Sequence, residues 1–203
     1  MNKFNPHKHH RRSIRLAGYD YGQAGLYFVT ICCQDRAHLF GSVIDGVMQL
    51  NTVGQIASQE WLHTEEIRDN VVLHEYVIMP NHVHGIIEIR YPKDSSNKIG
   101  KFTSPSQTIG AIVRGYKIAT IKRIKDMLSK GESKGESKGG WGELQFTLTF
   151  APTAPIKIWQ RNYYEHIIRD ERAYINISTY IKNNPRQWAV DQDNNQSNTP
   201  KTK

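Results

Sequence analysis

The sequence predicts an α+β sandwich, a mainly antiparallel sheet with helices packed on it. Three observations predict it. Runs such as "LYFVTICC", "VVLHEYVIM" and "VHGIIEI" are rich in β-branched and aromatic residues and read as strands. Residues 52–67 and 108–128 instead repeat apolar side chains at helical spacing. The order strand, helix, hairpin, helix, strand, helix then makes a ferredoxin-like arrangement the leading expectation.

Each element has its own warrant. Residues 26–33 follow the turn-forming "YDYGQAG" and make a central strand. In "SVIDGVMQL", Asp45-Gly46 suits the two-residue turn of a hairpin. Val53, Ile56, Ala57, Trp61 and Leu62 recur on one face of a helix over 52–67 that packs on the sheet. Residues 71–79 and 83–89 form an antiparallel hairpin joined tightly at Pro80-Asn81. After a polar loop at 91–106, Ile109, Ile112, Val113, Tyr116, Ala119, Ile124 and Met127 share one helical face, and Arg114, Lys117, Lys122 and Lys125 the other. The repeat "SKGESKGESKGG" at 129–140 has nothing to bury and reads as a flexible insertion. A strand is expected at 156–160, a short helix at 163–168 and a longer helix from about Asp170. Pro185 has no N–H to donate and restricts Asn184, so that last helix is expected to end or kink there.

At 203 residues the chain suits one domain with a real core, here 17–188, between a basic arm at 1–16 and a disordered tail at 189–203. Its formal charge of +8 and pI near 9.4 favour a polyanionic partner. Part of that charge sits in the arm, at Lys3, Lys8, Arg11, Arg12 and Arg15. Cys32 and Cys33 are the only cysteines, and neighbours on a strand point to opposite faces, which argues against a disulfide and for a reducing cytosol. No apolar stretch follows the basic start as in a secretion signal, and none is long enough to span a bilayer. A cytoplasmic protein with no membrane partner is expected.

The chemistry-bearing segment is "YVIMPNHVHGIIEI". On a strand, His82 and His84 share one face and Val83 takes the other. Two imidazoles side by side form half of a metal site; the bland alternative is one hydrogen-bonded core histidine and one surface histidine. Near the end of the chain, Tyr180 and Asn184 are four residues apart and share a helical face. An amide oxygen beside two imidazoles suits Mg²⁺ or Mn²⁺. Alternatively, Tyr180 packs on the sheet and Asn184 caps the helix.

"YVIMPNHVHGIIEI", followed by "WQRNYYEHIIRDERAYINISTYIKNNP", resembles the single-tyrosine HUH transposases, and most of all their REP-associated tyrosine transposase branch. The opening segments "RRSIRLAGYDYGQAGLYFVTI" and "FGSVIDGVMQLNTVGQIASQEW" extend the resemblance over most of residues 11–188. It implies that His82 and His84 are the metal ligands, that Tyr180 is the nucleophile, and that Asn184 stands where the family supplies a third ligand. Mobile relatives place glutamine there, so the shorter asparagine leaves direct or water-bridged coordination open.

The implied reaction is metal-dependent nicking and joining of single-stranded or hairpin DNA through a 5′-phosphotyrosine. A phosphodiester needs its charge neutralised before a nucleophile can approach, and a phenol with an ordinary pKa near 10 must lose its proton as it attacks. The adduct keeps the bond energy, so no nucleotide cofactor is expected. Arg11, Arg12, Arg15, Arg114, Lys117 and Lys122 are the candidates for DNA backbone contacts. A nucleoid-associated protein acting as a monomer or a homodimer follows from the same resemblance. Two alternatives stay open: a non-catalytic DNA-binding protein with this fold, and a structural zinc site built on His82, His84 and one of the two cysteines.

Overall fold

The structure, a computed structural model, describes residues 19–92, 108–132 and 157–189. The basic arm with Arg11, Arg12 and Arg15, most of the glycine-rich insertion and nearly all of the tail lie outside the described residues.

In chain order the elements are β1 (Gly25–Cys32), β2 (Gly41–Ile44), β3 (Val47–Leu50), α1 (Thr52–Glu66), β4 (Val71–Met79), β5 (His82–Ile89), α2 (Ile109–Glu132), β6 (Tyr164–Ile168) and α3 (Glu171–Gln187). The main sheet runs β4-β5-β1-β6 with every neighbouring pair antiparallel. With the small ribbon β2–β3 set aside as an insertion after β1, the order β1, α1, β4, β5, α2, β6 is the expected ferredoxin-like sandwich. The ribbon turns at Asp45 (φ 52°) and Gly46 (φ 73°), the two positive φ values that the "DG" pair supplies.

Local chemistry sets the helix starts. The Asn51 side chain accepts from the Gly54 amide at 2.9 Å and opens α1, and the Asp170 carboxylate accepts from the Ala173 amide at 2.8 Å and opens α3. Alternation along the strands then divides the core in two. Tyr27, Val29, Ile31, Val83 and Ile87 face α1 and α2, where Trp61 meets Tyr116 edge to face at 5.3 Å. Phe28, Ile86 and Ile168 face α3 and its Ile181. Gly85 is required where it stands: a Cβ there would clash with the Trp61 ring, so the bare backbone lets Trp61 pack against the strand that carries the histidines.

Four expectations change. Residues 164–168 are strand β6 rather than part of a short helix, because β1 offers a free edge that Tyr164 to Ile168 complete. Of the strand expected at 156–160, the described residues 157–160 form one bridge, Cys33 with Trp159, and 156 lies outside the described residues. α3 does not end at Asn184 but runs through Pro185 to Gln187; buried Ile181, Asn184 and Trp188 hold its last turn on the sheet, so packing overrides the local preference. α2 extends four residues into the stretch expected to be a flexible insertion. Among the described residues no helix is long and apolar enough to cross a membrane.

Candidate active site

The site forms where the first residues of β5 meet the last turns of α3. β5 pairs with β1 so that His82 sits opposite Cys32 and His84 opposite Thr30. Both imidazoles face α3, as strand alternation requires, and their ring centroids are 4.4 Å apart. Both are buried, His82 fully and His84 to 3% exposure, which removes the alternative of one core and one surface histidine. Burial, aided by the positive charge of Arg36 and by His38, pushes His82 down to about 3. Burial, then His82 and Arg36, hold His84 well below the usual histidine range. Neutral rings with free lone pairs are the form that binds metals.

Each histidine has a polar neighbour at Nδ1. The Asn81 amide oxygen lies 2.7 Å from His82 Nδ1, so that nitrogen donates and Nε2 keeps its lone pair. Thr30 Oγ1 lies 2.8 Å from His84 Nδ1. Donation from that nitrogen leaves His84 Nε2 to accept from the Tyr180 hydroxyl, at 3.2 Å. Such outer partners are what orient metal-binding histidines.

α3 supplies the rest. Its successive turns bring Tyr180 and Trp188 to the histidines, Tyr180 with its ring 5.2 Å from His84 and Trp188 with its ring 6.0 Å from His82. Asn184 lies on the same face between them and is fully buried. Among the described residues its Oδ1 and Nδ2 have no hydrogen-bond partner, and neither has His82 Nε2. Leaving a buried polar group unmatched costs about 1–3 kcal/mol, so orphans gathered at one place ask for a ligand. Two imidazole nitrogens and an amide oxygen are a donor set that fits a divalent cation. Tyr180 is 40% exposed, so a large substrate has access to its hydroxyl. Cys33 is buried on the other face of the sheet and cannot join this group.

The basic residues of α2 are elsewhere. Arg114, Lys117 and Lys122 lie on the helix that covers the opposite face, so the fold does not bring them to the histidines. Arg114 and Lys122 are exposed. Lys117 is half-buried rather than solvated: its Nζ donates to the carbonyls of Gln160 at 2.8 Å and Asn162 at 3.0 Å, and burial lowers it to about 8. Residues that sequence reasoning passed over stand closer. Arg36 follows the end of β1 in a single 3-10 turn, where it and Asp35 hold positive φ (55° and 53°). Paired strain of this kind in residues with side chains concentrates at functional sites. Asn81 was visible in the sequence beside His82; Thr30, 54 residues from His84, was not.

No family model matches the chain. A protein of Haemophilus influenzae (strain Rd), described as an uncharacterized protein, is 40% identical over 198 residues, covering 94% of this chain and 96% of that one. The chain belongs to that protein's family. Among solved structures, a REP-associated tyrosine transposase bound to a REP hairpin matches 86% of this chain and 74% of its own, with a TM-score of 0.51 and 17% identity. The chain therefore shares its fold with that transposase.

Proposed function

We propose that this protein is a divalent-metal-dependent enzyme that nicks and rejoins single-stranded hairpin DNA, with Tyr180 as the nucleophile. The observation that carries the proposal is the convergence of Tyr180, His84 and His82, with buried Asn184 one helical turn on from Tyr180 and unmatched atoms on both His82 and Asn184. The REP hairpin bound by the structurally similar transposase supports this class of substrate.

His82 Nε2, His84 Nε2 and Asn184 Oδ1 would hold Mg²⁺ or Mn²⁺, which when bound neutralises charge on the phosphate. Asn81 keeps the His82 imidazole in the tautomer that leaves Nε2 available, and the Thr30 hydroxyl can accept from His84 Nδ1 and so accommodates the same tautomer there. Exposed Arg36, whose positive charge is felt by both histidines, would favour an approaching phosphate. The Tyr180 oxygen attacks phosphorus; the P–O bond to the 3′ side breaks, leaving a 3′-hydroxyl and a phosphotyrosine on the 5′ end. The tyrosine proton leaves to solvent, and the leaving oxygen gains one. Attack by another 3′-hydroxyl reverses these steps and joins the strands. Arg11, Arg12 and Arg15, with Arg114, Lys117 and Lys122, remain proposed as backbone contacts away from the reacting phosphate.

The test incubates labelled hairpin single strands with the protein and Mn²⁺ or Mg²⁺, then resolves the products on a denaturing gel. A covalent protein–DNA band is expected from the wild type and from neither Tyr180→Phe nor His82→Ala, both still folded by circular dichroism. Hairpin binding with no adduct from the wild type would instead make the chain a non-catalytic DNA-binding protein.

A further inference from the structure

A second polar group lies on the same face of the sheet, at its other end. His74 of β4 is hydrogen-bonded on both nitrogens: Nδ1 to the Tyr174 hydroxyl at 3.1 Å and Nε2 to Glu88 Oε2 at 2.9 Å. The three side chains come from β4, α3 and β5 and line a cleft of about 640 Å³. Leu26 and Ile168 form its apolar side, and Arg169, Asp170 and Glu171 its rim. The proposed reaction uses none of these residues.

We propose that this cleft receives one unstacked base of the DNA strand and that Glu88, fixed by His74 and Tyr174, reads an amino group on its edge. The inference rests on the DNA-processing function proposed above. Three features point to a base rather than a phosphate. Among the described lining residues, the three carboxylates of Glu88, Asp170 and Glu171 outnumber the one guanidinium, of Arg169, which disfavours an anion in the cleft. Apolar walls beside a few placed polar groups, in a volume of a few hundred Å³, suit a flat heteroaromatic ring. A carboxylate carries about four acceptor positions, of which His74 occupies one, and carboxylates read the exocyclic amino groups of bases. Position fits as well. Glu88 is four residues along β5 from His84, about 13 Å at strand spacing. About four stacked nucleotides span that length, and fewer once the strand is stretched. A strand with its phosphate at Tyr180 can therefore place a nearby base in the cleft.

The experiment measures binding of hairpin oligonucleotides to the Tyr180→Phe protein, with single abasic sites placed in turn at the first five positions on each side of the reacting phosphate. An abasic site at one position should weaken binding about tenfold. Glu88→Gln should change base preference at that position alone, and the abasic oligonucleotide should bind both proteins equally. Leu26→Trp, which fills the cleft from β1 and leaves the side chains of His74 and Glu88 themselves unaltered, should lose the same discrimination and controls for any loss of folding in Glu88→Gln. Equal binding of all abasic oligonucleotides, or equal weakening of every oligonucleotide by Glu88→Gln, would overturn the inference. The function proposed above is judged separately, by adduct formation with wild-type protein: an adduct without position-specific discrimination sinks the cleft alone, and no adduct on any hairpin sinks both.

Discussion

Under α1 and α2 the sheet buries Tyr27, Val29, Ile31, Val83 and Ile87 against Trp61 and Tyr116. One residue along the same strands, under α3, it buries His82 and His84 beside Phe28 and Ile86 and carries His74 and Glu88 farther on. A one-residue alternation thus separates a face that holds the fold from a face that holds the chemistry. The first is closed by two helices and bulky apolar side chains. Among the described residues the second is closed by one helix with a small apolar cluster, and it carries three unmatched atoms on His82 and Asn184, where the first leaves the indole N–H groups of Trp61 and Trp159 unmatched. Stability is therefore invested in the first face, so that the second can keep polar groups that a stable core would exclude.

The largest expected effect breaks the first face. Trp61→Ala removes the ring that lies over Gly85 and against Tyr116, and should cost about 3–5 kcal/mol in urea unfolding. A loss under 1 kcal/mol would show that the α1 side does not carry the fold. Acid should act on the other face of the metal-free protein. A histidine whose folded pKa is about 3 and whose unfolded pKa is about 6.5 binds its proton more readily when unfolded. Its contribution to stability is complete above about 6.5 and is lost as pH falls toward 3; by pH 5 the loss is about 2 kcal/mol. His82→Gln should flatten unfolding free energy against pH in that window, and an unchanged slope would refute the assignment.

Much of the fold was legible because periodicity is a local property. Residues 52–67 and 108–128 showed their apolar faces, and Asp45-Gly46 its turn, without any tertiary information. Residues 163–168 misled because five or six residues hold too little of either period to decide, and the free edge of β1 that makes them a strand lies far away in sequence. Pro185 misled for the opposite reason: the local rule was sound, but burial of Asn184 and Trp188 overrode it. At the site, His82 and His84 were legible from their i, i+2 spacing. Their placement beside Tyr180 depends on how α3 docks on β5, which no spacing within either segment encodes. The placing of Arg36 and Thr30 at the site likewise exists only once the strands are paired.

A smaller effect should have the opposite sign to the first. Asn184→Leu keeps the number of side-chain heavy atoms and removes two unmatched polar atoms from a fully buried position. In chelator the variant should be more stable than wild type by about 1 kcal/mol. It should also lose the rise in melting temperature that Mn²⁺ gives the wild type, since binding to the folded state is what stabilises it. A variant destabilised by more than 2 kcal/mol would mean that Asn184 is part of the packing rather than held for a ligand.

The smallest effect falls at an exposed charge. Arg36 is a secondary cause of the lowered affinity of both histidines for protons, after burial in each case, so Arg36→Gln should let both rings protonate at slightly higher pH in the folded state. The folded protein then disfavours the proton less, and acid unfolding should move to slightly lower pH, by less than in His82→Gln. Hairpin affinity should fall at the same time, and the dependence of log Kd on log salt should flatten by about one phosphate contact. Arg36→Lys keeps the charge and should preserve both readouts. The two changes run in opposite directions, better acid resistance with weaker DNA binding, and a residue that only held the 3-10 turn would worsen both.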